Sequence, residues 1–143
     1  MSFSVSINLS TKAQYFDQFF ENNPEINSDL AQDILEDFKR YKFDGELPSY
    51  FGRDVLYLRP DSIRDSALSH IHLDLALSNA FQGETNAFYR RSDISLVYTH
   101  GFSNPQSYSI LAILKPAHTL ASNNHNQLIR KFARIADEFR NRH

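Results

Sequence analysis

The segment Tyr108-Ser109-Ile110-Leu111-Ala112-Ile113-Leu114 does most to limit what this chain can fold into. It is too short for an ordinary helix, carries almost no polar residue, and is stopped by Pro116. A half-solvated strand would alternate, so this run reads as a central strand covered on both faces. Its partner is Asp93–His100, joined to it through Gly101-Phe102-Ser103-Asn104-Pro105-Gln106, which predicts a hairpin with a longer loop.

The remaining elements follow from period. Phe3, Val5, Ile7 and Leu9 alternate with polar residues as in a half-buried strand. Thr11 and Gln14 have capping-box spacing, with Ser10 competing, and open a short helix through Tyr15, Phe16, Phe19 and Phe20 that Asn22-Asn23-Pro24 breaks. A second helix starts near Asn27 or Ser28, with Leu30, Ile34, Leu35, Phe38 and Tyr41 as its apolar stripe, and ends at Asp44-Gly45. Gly52 reads as loop punctuation and Val55–Leu58 as a short strand. His70–Leu77 alternates well, Ile71, Leu73, Leu75 and Leu77 pointing one way, His70, His72 and Asp74 the other. A last helix runs from near Ser122 almost to the terminus. Strand, two helices, strands, helix is the order of a compact α+β domain, not of a βαβ series.

With 143 residues, no repeat and no linker, one domain over residues 1–143 is expected. Forty-one per cent apolar residues exclude a disordered tail, and no apolar run could span a bilayer. Met1-Ser2-Phe3-Ser4-Val5 has neither a basic nor an apolar signal region, so the cytoplasm is the expected compartment. Without cysteine there is no catalytic thiol, disulfide or thiolate-ligated metal, and four glycines at no dinucleotide or Walker spacing leave no phosphate loop. Net charge is −6 over residues 1–75 and +4 over residues 76–143. Such a split suits a polyanion or an acidic partner, or is a mixed solvated surface.

Three groups of residues could carry chemistry. His70 and His72 share a strand face, their side chains roughly 7 Å apart. They could ligate a metal with a third group, bind phosphate or exchange protons near neutral pH, or merely form the polar face of a strand. Lys115 and His118 follow the apolar strand, where site residues or gatekeeping charges sit. Arg90 and Arg91, Tyr98, His100 and the last helix with Arg140 and Arg142 could make a basic, partly aromatic surface for RNA phosphates and bases, although Tyr98 taken singly reads as core before it reads as catalytic.

From about residue 38 onward the chain resembles the YafO family of bacterial type II toxins. The shared words are Leu47-Pro48, Phe51-Gly52-Arg53-Asp54, His70-Ile71-His72-Leu73, Leu96-Val97-Tyr98, Ile110-Leu111-Ala112-Ile113-Leu114-Lys115-Pro116, His118, Leu120-Ala121 and Ala136-Asp137-Glu138-Phe139-Arg140-Asn141-Arg142. The segments Pro60–Ser69 and Ser78–Phe88 depart from it. The resemblance implies a RelE/ParE-like fold: a small, mostly antiparallel sheet with N-terminal helices and a C-terminal helix, the helices on one side. It implies a ribosome-dependent endoribonuclease that cleaves mRNA, needs no metal or cofactor, and is silenced by a cognate antitoxin. The partners implied are thus antitoxin, ribosome and mRNA, with no membrane. On that reading His70 and His72 transfer protons or contact phosphate. Lys115, with Arg53 or Arg91, stabilises the phosphorane, His118 is a reserve acid, and Tyr98 stacks a base, beside RNA contacts from Arg90, Arg140 and Arg142. The rivals are a toxin-like binding module that blocks translation without cleavage, and a metal-dependent nuclease built on the His-x-His strand.

Overall fold

The computed structural model describes residues 3–58, 60–75, 79–117 and 126–143. Five strands make one sheet: β1 (Ser4–Ile7), β2 (Phe51–Leu56), β3 (Ser69–Leu73), β4 (Ser95–His100) and β5 (Ser107–Leu114). Their order is β1-β5-β4-β3-β2. β1 lies parallel to β5, with Ser4 opposite Ser107 and Ile7 opposite Ile110, and the other three pairings are antiparallel. The fold is therefore α+β around a mixed, mostly antiparallel sheet.

The N-terminal helical region starts differently from the expected capping box. Asn8 makes the turn, its Oδ1 accepting the Ser10 N–H at 2.9 Å. Thr11 is buried, and its hydroxyl donates back to the Asn8 carbonyl at 3.4 Å instead of capping. A π-helical turn, Ala13–Asp17, then leads into α1 (Gln18–Asn22), which ends where the Asn23 side chain donates to the Phe19 carbonyl at 2.7 Å. α2 (Leu30–Lys39) also continues as a π-helical turn, Arg40–Asp44. Gly45 closes it at φ +71°, a left-handed conformation that costs glycine little.

β5 is covered on both faces, as its composition predicts. Phe16, Phe19, Ile34 and Phe38 pack on Ile71, Leu73, Leu96 and Ile110 on one side. On the other, α3 (Asn126–Arg142) packs Ile129, Phe132, Ala133 and Ala136 on Val97, Leu111, Ala112 and Leu114. Helices on both sides replace the expected one-sided arrangement, because a bare second face would expose those apolar β5 side chains to water. A bulge assists: Val97 faces Ala112 while Tyr98 faces Ile110, so Leu111 is the additional residue and joins the α3 side. α3 packs chiefly on β4, β5 and the 3₁₀ turn Asp61–Ser66. The β2–β3 part of that face lies beside it.

Two strands depart furthest from their predicted bounds. β2 begins at Phe51 because Gly52 is a strand residue: a Cβ there would sit 2.4 Å from the Arg90 carbonyl oxygen and 2.7 Å from the Phe81 ring. β3 stops at Leu73, where Asp74 turns out and its carboxylate accepts the N–H groups of Ala80 and Phe81 at 3.0 and 3.3 Å. Leu77 of the expected strand and the expected helix start at Ser122 lie outside the described residues. Among the described residues no helix is long and apolar enough to cross a membrane.

Candidate active site

β3 presents its two histidines as the alternation predicts. Ile71 and Leu73 are fully buried under the N-terminal helices, while His70 and His72 share the opposite face, half-buried, their ring centroids 5.6 Å apart. The His70 ring stacks on Tyr57 at 4.1 Å, and its Nδ1 is buried with no hydrogen-bond partner. Burial, and then the neighbouring His72, push its pKa down to about 4, with Asp54 pulling weakly the other way. His70 is thus a neutral ring at pH 7.

His72 is held differently. The Ser92 backbone N–H donates to its Nδ1 at 2.9 Å. Ser92 is fixed in turn, its hydroxyl bonding the Leu73 and Ile94 carbonyls. With Nδ1 occupied as an acceptor, the neutral ring carries its proton on Nε2. Burial first, then the positive charges of Arg53 and Arg91, lower the His72 pKa, so this donor tautomer prevails at pH 7.

The arginines come from two other elements. Val55 pairs with His70, so Arg53, two residues earlier on β2, shares the histidines' face. The β2 irregularity between Phe51 and Asp54 allows this, because both of those residues face the opposite core. The Arg53 guanidinium lies 4.2 Å from the Phe88 ring centroid. Arg91 is exposed on the β3–β4 connection, close enough to act on His72. The structure therefore brings His70, His72, Arg53 and Arg91 together.

It separates the other expected residues that it describes from them. Arg90 is used internally, its Nε donating to the Glu84 carbonyl at 2.6 Å and its Nη1 to that of Phe51 at 3.1 Å. Tyr98, expected to stack a base, is 4% exposed and lies edge to face on Phe38, so neither ring face is open. Lys115 follows Leu114 with the opposite facing and reaches Asn23 at 3.1 Å and Glu25 at 3.8 Å, on the side of the sheet away from the histidines. Arg140 donates to the His100 carbonyl at 2.9 Å, and Arg142 is exposed two residues on. His100 is the last residue of β4, while His72 pairs with Ser95, the first. Five residues of strand, ~17 Å, thus lie between these arginines and the histidine pair. His118 lies outside the described residues. Among the described residues, no three His, Asp or Glu side chains gather to hold a metal ion.

A polar cluster that sequence reasoning missed is on the opposite face. Asp54 accepts from Tyr41 at 2.8 Å, Tyr98 at 2.7 Å and Lys42 at 3.2 Å, and the Lys42 ammonium also donates to the Tyr98 oxygen at 2.8 Å. Burial, reinforced by the Asp54 carboxylate, drives the Tyr98 and Tyr41 pKa values upward, so both phenols stay protonated as donors. Asp54 stood in a motif already noticed; Lys42 had the pattern of a solvated helix lysine. The cluster ties the π-helical end of α2 to β2 and β4.

Residues 39–141 match the family Toxin YafO, type II toxin-antitoxin system, which places the chain among the toxins of such systems. Over 125 residues it is 38% identical to the mRNA interferase toxin YafO of Escherichia coli (strain K12), covering 82% of this chain and 91% of that relative. The chain belongs to the YafO toxin family. No solved structure matches it.

Proposed function

We propose that this toxin cleaves mRNA on translating ribosomes, and that His72, Arg53 and Arg91 hold the scissile phosphate. The observation that carries the reading is the His72 imidazole, fixed by the Ser92 N–H as an Nε2–H donor, with the positive charges of Arg53 and Arg91 near enough to act on it. In RNA cleavage the 2′-hydroxyl oxygen attacks phosphorus as its proton passes to water. The P–O5′ bond breaks with the leaving 5′-oxygen taking a proton from water, and charge builds on the non-bridging oxygens in between. His72 Nε2–H and the two guanidinium forks donate to those oxygens, and His70 holds the adjoining wall dry. His72 in this orientation has no lone pair for the 2′-hydroxyl proton. A ribosome-bound mRNA, already shaped in the decoding complex, would complete the site, which is why ribosome dependence fits this chain.

The same reading takes the fold as RelE/ParE-like, supported by a β1-β5-β4-β3-β2 sheet whose last strand pairs parallel with the first. It takes residues 1–143 as one toxin domain acting in the cytoplasm and held inactive by a cognate antitoxin, as membership of a type II family implies. The test is primer extension on mRNA recovered from ribosomes incubated with the protein. Wild type should leave discrete new ends, and His72→Ala should lower cleavage by about 10²-fold or more while the fold persists. Arrested translation with intact mRNA would replace cleavage by simple blocking. A folded His72→Ala protein cutting at the wild-type rate would remove His72 from the site.

A further inference from the structure

Residues 79–91, in the connection between β3 and β4, are held more firmly than a solvated loop needs. The Asp74 carboxylate pins the N–H groups of Ala80 and Phe81, and the Glu84 N–H closes on the Phe81 carbonyl at 2.8 Å. Asn79, Gln82 and Gly83 sit at φ +46°, +50° and +76°, so two side-chain-bearing residues accept left-handed backbone. The Asn86 side chain caps the 3₁₀ turn Ala87–Tyr89 by accepting the Phe88 N–H at 3.1 Å. Arg90 clamps the whole against β2, where Gly52 leaves room for its backbone.

Tyr89 is nevertheless 60% exposed at the end of this rigid support. Beside it, Phe81, Gln82, Glu84, Tyr89 and Arg91 line a recess of about 490 Å³. Arg91 is common to the recess and to the charges around His72. Whatever occupies the recess is thus next to whatever His72 and Arg91 bind. An apolar protein side chain would meet the polar groups of Gln82, Glu84 and Arg91. A nucleobase fits better: its face stacks on the phenol ring while its edge meets the amide and carboxylate.

We propose that this recess is the subsite for one unstacked nucleobase of the mRNA, adjoining the phosphate held by His72, Arg53 and Arg91, and that it sets which sequences are cleaved. The assignment rests on the phosphate site proposed above and extends it to sequence choice. Phe88 has a different part. Its ring under the Arg53 guanidinium makes it a positioning residue.

The experiment maps cleavage ends and rates on ribosomes programmed with one defined mRNA, using the full chain. Tyr89→Ala should slow cleavage about 5- to 150-fold, the range for losing one base–aromatic stack. Tyr89→Phe should stay near wild type, and Tyr89→Leu, which keeps bulk without an aromatic face, should behave like Tyr89→Ala. Gln82→Ala should redistribute cleavage among sites. Thermal melts check that the exposed substitutions leave the fold intact. If folded Tyr89→Ala and Tyr89→Leu cut the same sites at the wild-type rate, the subsite is overturned while the cleavage reading stands. Unchanged cleavage with lost inhibition by the antitoxin would also overturn it, making the surface an antitoxin contact. No cleavage by wild type at all would bring down the phosphate-site reading and this one with it.

Discussion

His70 shows how a side chain on the face of a proposed site can be held neutral by its surroundings. Stacked on Tyr57 and desolvated, it resists protonation until about pH 4, against 6.5 for a free imidazole. Between those values the unfolded chain binds the proton and the folded chain does not, so stability falls as pH drops from 6.5 toward 4 and levels below. A His70→Phe variant lacks this contribution. Its melting temperature should decline less than that of wild type over the same interval, and parallel curves would show that His70 protonates freely in the fold. The facing of His70 and His72 was legible because Ile71 and Leu73 alternate with them. Taken singly, Tyr98 reads as a core residue, and it is buried. Lys115 was not legible at this scale. The side of Lys115 depends on the parity of a strand bulged at Leu111, between two apolar neighbours that conceal the bulge.

Among the elements, β2 departs furthest from its sequence signal. Val55–Leu58 has the β-branched and apolar residues of a strand, whereas the observed strand opens with Phe51-Gly52-Arg53-Asp54. What makes those residues extended is not propensity but the β3–β4 connection laid against them: the Arg53 N–H donates to the Arg90 carbonyl at 3.0 Å. Such a contact, between residues nearly forty apart, leaves no local periodic trace. It makes Gly52 the sensitive position, since a methyl group would collide with the Arg90 backbone at 2.4 Å. Gly52→Ala should destabilise by about 1–3 kcal/mol through overpacking, and should also weaken cleavage by displacing Arg53. Gly83→Ala is the useful contrast. It has open space around its Cβ but a φ of +76°, so its cost should be about 1–2 kcal/mol of backbone strain without the collision. Urea midpoints of the two variants measure this. An unshifted midpoint for Gly52→Ala would mean that the loop backs away and the clamp is loose.

At the scale of the whole molecule, the two halves of opposite charge are not kept apart on the face proposed to bind phosphate. The fold brings them together: Arg53 comes from the acidic half, Arg91 from the basic half, and the charges of both act on His72. Parallel pairing of β1 with β5, across about a hundred residues, joins the two halves in a way no composition shift announces. Arg140 and Arg142, meanwhile, stand at the far end of β4. Salt dependence distinguishes a local phosphate site from a diffuse basic surface. Each phosphate contact to single-stranded RNA contributes about 0.7 to the slope of log affinity against log salt. With labelled protein titrated onto programmed ribosomes over a range of KCl, Arg91→Ala should flatten that slope by about 0.7. Arg142→Ala, ~17 Å further along the sheet, should leave it unchanged. Equal flattening by both would mean that the ribosome meets the basic half as a whole, and that the His72 site is not where the phosphate charge is neutralised.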